Sequence, residues 1–363
     1  MGATVPGDYK TSITKYTMIF FTLCSNNYLA QAKILGDSLK KFNPEYHFII
    51  GLTDELHPDI DYSFFKNITV LPVAEIGIDD FDSLWKKYNI IEFNTCVKAS
   101  FFKYLFKTYP NEQGVCFLDP DIAIYHSLAI LETELEQNNI LLTPHIYTPI
   151  PIDGKRPTEN LFLNYGIYNL GFIAINRDCF SNSKFLNWWE ERTLTIGFDQ
   201  PRDGIFVDQL WINFVPLFFE KVKILSSYGF NAAPWNLHER TVEESSTGIL
   251  KMNDGHPLYF FHFSNFKFSE PDKISNSPTY NRYNFATQFQ LKPLYSEYCK
   301  QLIINRVATL STIGWAYIKH KQNYNKEQAS KKNKLQSFLN MSKNAFKQVL
   351  PPVVVRLVKL VVR

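Results

Sequence analysis

Two carboxylates one residue apart, Asp119 and Asp121, flank Pro120 directly after the apolar run Val115 to Leu118. Carboxylates at i and i+2 beside a strand end can converge through the following turn on one divalent cation. Such hard oxygen ligands suit Mn²⁺ or Mg²⁺ holding a diphosphate. The tripeptide is also ordinary turn chemistry, because proline presets φ and aspartate accepts from local backbone donors. Other residues able to share a site with the pair are dispersed along the chain: Lys98 upstream, then Asn169, the adjacent Asp208 and Gln209, His262 and Lys267. Each has a plainer role as well. A helical lysine commonly snorkels to water, an aspartate in a first helical turn offsets the helix dipole, and a lone strand histidine is commonly a satisfied core residue. The segment Ala233 to Arg240 (Ala-Pro-Trp-Asn-Leu-His-Glu-Arg) gathers polar and aromatic groups that suit a sugar pocket or a structural turn.

The elements that must position these residues are legible from periodicity. Tyr16 to Cys24 is a continuous apolar and β-branched run, predicting a buried strand. Ser25-Asn26-Asn27 then caps an amphipathic helix over Tyr28 to Phe42, and His47 to Leu52 makes the next strand. Strand, helix and strand at this spacing form a βαβ unit, which implies a parallel sheet with binding loops at the carboxyl ends of its strands. Thr22 to Tyr28 lies at such an end and has no Gly-rich dinucleotide loop. Further strands are expected at Ile68 to Pro72, Val115 to Leu118, Ile140 to Thr143, Tyr168 to Asn176, Val222 to Leu225 and Leu258 to Phe263. Helices are expected at Asp79 to Tyr88, Glu92 to Thr108, Ser127 to Glu136, Ser181 to Arg192 and Leu291 to Lys319, with another opening over Asp203 to Trp211. Pro149 to Tyr165 reads as a long loop of the kind that forms lids or binding loops.

A chain of 363 residues with 45% hydrophobic residues, 31 Phe and 20 Tyr has material for a large, ring-rich core. Five cysteines without paired spacing suggest neither a disulfide framework nor a zinc site, and point to a reducing cytosolic compartment. The first apolar run lacks the leader and cleavage site of a secretory signal, and no run approaches a spanning helix. Net charge is +3, yet residues 331–363 hold eight Lys or Arg and no acid, leaving 30 basic against 35 acidic side chains elsewhere. That body charge excludes nucleic acid as a natural partner. The tail has apolar residues at helical spacing from Leu335, and Arg356, Lys359 and Arg363 in a Val/Leu background, a pattern suited to an anionic membrane surface, the alternatives being a terminal helix packed on its own domain or an interaction helix. The expected organisation is a leader (1–15), a catalytic domain (16–290), a C-terminal helix packing on or near it (291–328) and a basic amphipathic tail (329–363).

Taken in order, the segment Thr22 to Tyr28, Lys98, Leu-Asp-Pro-Asp at 118–121, Asn-Leu-Gly at 169–171, Asp208-Gln209 and a late His-Phe-Ser resemble the GT-A-fold nucleotide-sugar glycosyltransferases, most closely the family-8-type retaining enzymes. The resemblance covers roughly Tyr16 to Phe268. It implies an α/β fold: a Rossmann-like mixed sheet flanked by helices, here with a C-terminal helical extension. It further implies that Asp119, Asp121 and His262 ligate Mn²⁺ or Mg²⁺, that Thr22, Lys98, Asp119, Asn169 and Lys267 hold the donor, and that Asp208 and Gln209 lie at the reacting sugar. The chain departs from the pattern by placing Asn265 where the family has glycine, with Lys267 only approximately in register. The implied activity is metal-dependent transfer of a hexose or N-acetylhexosamine from a UDP-sugar to a glycan or lipid-linked acceptor, in surface-polysaccharide or lipopolysaccharide synthesis at the inner face of the cytoplasmic membrane. Two alternatives are an inverting GT-A enzyme using Asp208 or Asp203 as base, and a non-catalytic, membrane-associated glycan- or nucleotide-binding protein built on the Trp235 cluster.

Overall fold

A computed structural model describes residues 17–245 and 248–349. The leader and residues 350–363 of the expected tail lie outside the described residues. Seven strands form the main sheet: β1 (Met18–Cys24), β2 (His47–Leu52), β3 (Thr69–Pro72), β4 (Gly114–Leu118), β6 (Ile140–Pro144), β7 (Tyr168–Asn176) and β8 (Val222–Ile224). Their spatial order is β8-β6-β7-β4-β1-β2-β3. The pairs β1/β2, β1/β4, β2/β3 and β8/β6 are parallel, while β7 runs antiparallel to both β4 and β6. Every residue of β1, β4 and β7 is buried, which is why these strands read as continuous apolar runs instead of alternating ones. The short strands β5 (Ile122–Ile124) and β9 (Phe260–His262) pair antiparallel beside this sheet, with Ile122 opposite His262. The fold is therefore the expected mixed α/β sheet flanked by helices.

Helix α1 (Leu29–Phe42) packs Leu29, Ala32, Leu35 and Leu39 inward, as its spacing predicts. Helices α3 (Ile130–Gln137) and α5 (Lys184–Ile196) match expected helical segments to within a few residues, α2 (Lys98–Thr108) starts at Lys98 after a separate short helix, Ile90–Cys96, and α6 (Lys292–Ile304) covers the first part of the expected terminal helix. On α6, Tyr295 and Tyr298 pack against Phe263, the latter stacked ring on ring at 3.8 Å, so this helix braces the segment that carries His262.

Three expectations need correction. Pro149 to Tyr165 is not a continuous loop, because its last seven residues form helix α4 (Glu159–Tyr165). Glu159 in its first turn accepts from the Ile150 amide, and Phe162 is buried. Asp203 to Trp211 does not open an α-helix. A 3₁₀ turn (Pro201–Asp203), Gly204 at φ 73° and a two-residue strand pair precede a 3₁₀ segment, Leu210–Phe214, so Asp208 and Gln209 sit in the turn before it. Finally, Leu291 to Lys319 is interrupted: α6 stops at Ile304, Arg306 turns at φ 62°, a short helix Val307–Leu310 follows, and α7 (Ala316–Val349) begins after Gly314. The chain divides into two compact units after Trp315. Among the described residues no helix is long and apolar enough to cross a membrane. All five cysteines are free and buried.

Candidate metal centre and active site

The Asp119-Pro120-Asp121 turn is fastened to three strands. The Asp119 amide donates to the Gly171 carbonyl of β7 at 2.9 Å, Ile122 N–H closes the turn onto the Asp119 carbonyl at 3.1 Å, and Phe263 N–H donates to the Asp121 carbonyl at 2.9 Å. β9 brings His262 to the same point: its Nε2 lies 3.0 Å from Asp121 Oδ1 and 3.7 Å from Asp119 Oδ2. One ligand atom from each of the three residues falls within 4.8 Å of the others. His262 is buried and meets Trp235 edge to face at 5.0 Å. Burial opposes protonation of its imidazole, but the carboxylates of Asp121 and Asp119 outweigh that and raise its pKa. Burial likewise pushes Asp119 up to about 6 against the pull of Lys98 and His262, with Asp121 adding to the rise. Two carboxylates and one imidazole are a donor set that fits Mn²⁺ or Mg²⁺, with coordination positions left for phosphate oxygens or water.

The pair stands where two cavities meet. One, of about 420 Å³, is lined by rings (Phe162, Tyr165, Phe206, Trp235, Tyr280) together with Gln209 and Asn169. The other, of about 370 Å³, is lined by Asn27, Asn94, Thr95, Lys98 and Phe117. Tyr28, Asp119 and Asp121 belong to both, and among the described residues no other carboxylate lines either one.

Lys98 does not snorkel to water. Its Nζ is buried 2.6 Å from Asp208 Oδ2, donates to the Leu170 carbonyl at 3.2 Å and lies 4.0 Å above the Phe117 ring. Burial raises the Asp208 carboxyl, and the lysine partly offsets that. Gln209 is held at both ends of its amide: Oε1 accepts from Leu170 N–H and Nε2 donates to the Tyr165 carbonyl, each at 2.8 Å. It thereby ties α4 to β7 beneath the larger cavity. Gly166, at φ 129°, makes this approach possible, since a Cβ there would stand 3.0 Å from Gln209 Cγ. The geometry thus gathers Lys98, Asp119, Asp121, Asn169, Asp208, Gln209 and His262 at one place. Thr22 is wholly buried within β1 and lines neither cavity. Lys267 is exposed after β9, where its charge falls on Glu270, and Asp203 is exposed in its turn. Asn265 adopts φ 58°, the left-handed conformation that a glycine would take there and that asparagine tolerates best among the other residues.

Sequence reasoning missed His145 and Asn231, and it noted Tyr28 only as the end of a segment. His145 stacks on Phe162 and meets Trp235, and burial drives its pKa down to about 3, so it is neutral. Neither His145 nor Asn231 belongs to a spaced motif. The one local clue is that asparagine favours positive φ, which Asn231 adopts at 57°.

No family model matches the chain. YfnF of Bacillus subtilis (strain 168), an uncharacterised protein, is 26% identical over 260 residues, which span 71% of this chain and 84% of YfnF. YfnD of the same organism, also uncharacterised, is 21% identical over 295 residues, 79% of this chain and 89% of YfnD. Among solved structures, the galactosyltransferase LgtC in complex with donor and acceptor sugar analogues superposes with a TM-score of 0.47 at 16% identity, covering 84% of this chain and 100% of LgtC.

Proposed function

We propose that the protein is a metal-dependent, retaining glycosyltransferase that moves a hexose or N-acetylhexosamine from a UDP-sugar to a glycan or lipid-linked acceptor of a surface polysaccharide or lipopolysaccharide. The observation that carries this reading is the Asp119/Asp121/His262 cluster at the junction of two cavities. The smaller cavity, with Tyr28 at its edge and the amides of Asn27 and Asn94, suits a base and ribose. The larger suits pyranoses, whose apolar faces stack on aromatic rings. A divalent cation bound to the cluster would neutralise charge on the departing diphosphate.

Retention is supported by what the carboxylates are doing. An inverting reaction needs a base opposite the leaving group. Asp208 is locked to Lys98, Asp203 is exposed and lines neither cavity, and among the described residues the only carboxylates lining them are Asp119 and Asp121. Gln209 has a neutral amide already committed to two backbone groups, so it supplies neither strong base nor anionic nucleophile. The bond from the anomeric carbon to the diphosphate then breaks as the acceptor hydroxyl adds from the same face. The acceptor proton passes to the departing phosphate oxygen. Residues 331–363, rich in Lys and Arg, would hold the enzyme on the anionic inner face of the cytoplasmic membrane.

The test is UDP release from a panel of UDP-sugars with Mn²⁺, wild type against Asp121→Ala. Release by the wild type alone is expected. Equal rates from the two proteins on every donor would refute the reading, and metal-independent UDP binding by calorimetry would favour a binding protein instead.

A further inference from the structure

Resting on the metal centre proposed above, we infer that Asn231 is a positioning residue for it: its side chain fixes which nitrogen of His262 carries a proton, and so directs the other at Asp119 and Asp121. Asn231 is fully buried just before β9's neighbour Ala232, whose carbonyl accepts from the His262 amide at 2.8 Å. Its Oδ1 faces His262 Nδ1 at 3.3 Å. The same stretch of chain therefore grips the histidine by backbone and by side chain.

An asparagine amide can in principle sit either way round, so the polarity has to be argued from groups that have no choice. The Gly171 N–H, an obligate donor, points at Asn169 Oδ1 at 3.0 Å, which identifies that atom as oxygen. The Asn231 atom that meets the same oxygen at 2.8 Å must then be the amide nitrogen, which also donates to Thr143 Oγ1 at 3.0 Å. Asn231 consequently turns its oxygen to His262, and His262 Nδ1 must donate. At the far end the Asn169 amide nitrogen meets His145 Nε2 at 3.1 Å, and His145 Nδ1 faces the Ile167 carbonyl at 3.4 Å, an obligate acceptor. Neutral His145 can satisfy both only as the Nδ1–H tautomer. The chain His262, Asn231, Asn169, His145 is thus fixed by two backbone groups, the Gly171 N–H at Asn169 and the Ile167 carbonyl at His145, and every link has one permitted direction. What it leaves at His262 is Nε2, the atom 3.0 Å from Asp121, as the nitrogen available to a cation. Metal-bound histidines characteristically need such a partner on the other nitrogen, and removing it typically weakens metal binding ~10–100-fold.

Three measurements on the full chain test this. In metal-free wild-type protein, long-range ¹H–¹⁵N correlation must show His262 Nδ1 protonated; a lone-pair shift at Nδ1 overturns the inference without any variant. Mn²⁺ titration followed by the EPR signal of the free ion should give ~10–100-fold weaker binding for Asn231→Gly, which keeps the positive φ and loses the side chain. Asn231→Asp loses both donors but keeps an oxygen towards His262. Pulsed EPR of its bound Mn²⁺ should retain the imidazole-nitrogen coupling, which the glycine variant should lose. If the two variants are equally damaged, Asn231 acts only through packing and the inference falls. Wild-type affinity and coupling in Asn231→Gly also overturn it. A wild type that binds no more Mn²⁺ than Asp121→Ala refutes the metal centre itself, and the positioning role with it.

Discussion

Replacing Gly171 by alanine should damage the metal centre from a position that itself lines neither cavity. Gly171 lies within β7 and is not among the residues at positive φ, so its backbone conformation suits any residue. In an ordinary strand, adding a methyl group to glycine stabilises by about 0.5–1 kcal/mol through the entropy of the unfolded chain. Here a Cβ would stand 2.6 Å from Asn169 Oδ1, 2.6 Å from His262 Cε1 and 2.7 Å from His262 Nδ1. Each must retreat by roughly 0.8 Å to reach ordinary contact. His262 has little room to do so, since Trp235 lies edge-on to it and Asn231 holds its Nδ1. Overpacking of a tight site costs about 1–3 kcal/mol, so the sign reverses and a net loss of about 1–2 kcal/mol is expected. Urea unfolding of metal-free protein measures that term. Repeating it in saturating Mn²⁺ measures the second consequence. Binding to the native state stabilises wild type by RT ln(1 + [Mn²⁺]/Kd), and a displaced imidazole should shrink that increment by about 1.4 kcal/mol for each tenfold loss of affinity. Unchanged stability together with an unchanged Mn²⁺ increment would refute the argument that Gly171 makes space for His262.

Lys98→Met should destabilise the protein by about 3–5 kcal/mol, because it strands the Asp208 carboxylate in the core, whereas Lys98→Met with Asp208→Asn should recover much of that loss in urea titrations. His145 contributes a pH dependence whose sign is fixed by its depressed folded pKa: stability is complete above about 6.5 and is lost as pH falls towards about 3. Between pH 7.5 and 4.5 that loss is about 2–3 kcal/mol, and the corresponding slope should vanish in His145→Gln. Truncation after Gln328 should abolish co-sedimentation with anionic liposomes and leave transfer to a soluble acceptor intact; equal sedimentation of the two chains counts against the membrane role of the tail.

The sheet was legible because its central strands are buried on both faces, so MIFFTLC and YNLGFIAIN are unbroken apolar runs with one structural reading. The convergence of Asp119, Asp121 and His262 was legible for a different reason: the two carboxylates are separated by one residue and His262 ends a strand of its own. Legibility failed where a side chain's role depends on a partner far along the chain. Lys98 and Asp208 each have a sound solitary explanation, a surface lysine and a helix-start carboxylate. Only the packing of α2 against β7 and the turn after Phe206 turns them into a buried pair. Asn231 is the extreme case, since all its partners are distant and its backbone is irregular. The turn around Asp203 was misread because a helix opening at Asp203 has to run through Gly204, which sits at φ 73° and so breaks it.

Charge balance explains why these separate features belong to one site. Asp119 feels Lys98, His262, Asp121 and Asp208 together, so the group shares one electrostatic field. Three carboxylates against one lysine leave a surplus of negative charge, with Asp119 and Asp121 half-buried and Asp208 fully buried. A partly buried surplus of that kind is destabilising unless something offsets it. Burial raises the Asp119 carboxyl and the two carboxylates raise His262, so protons offset part of this charge in the metal-free chain. A divalent cation would match that surplus, and the Lys98–Asp208 pair, neutral in itself, would then stand as a rigid wall beside it. The charge of the site thus supports the proposed metal centre alongside the spacing of its ligands.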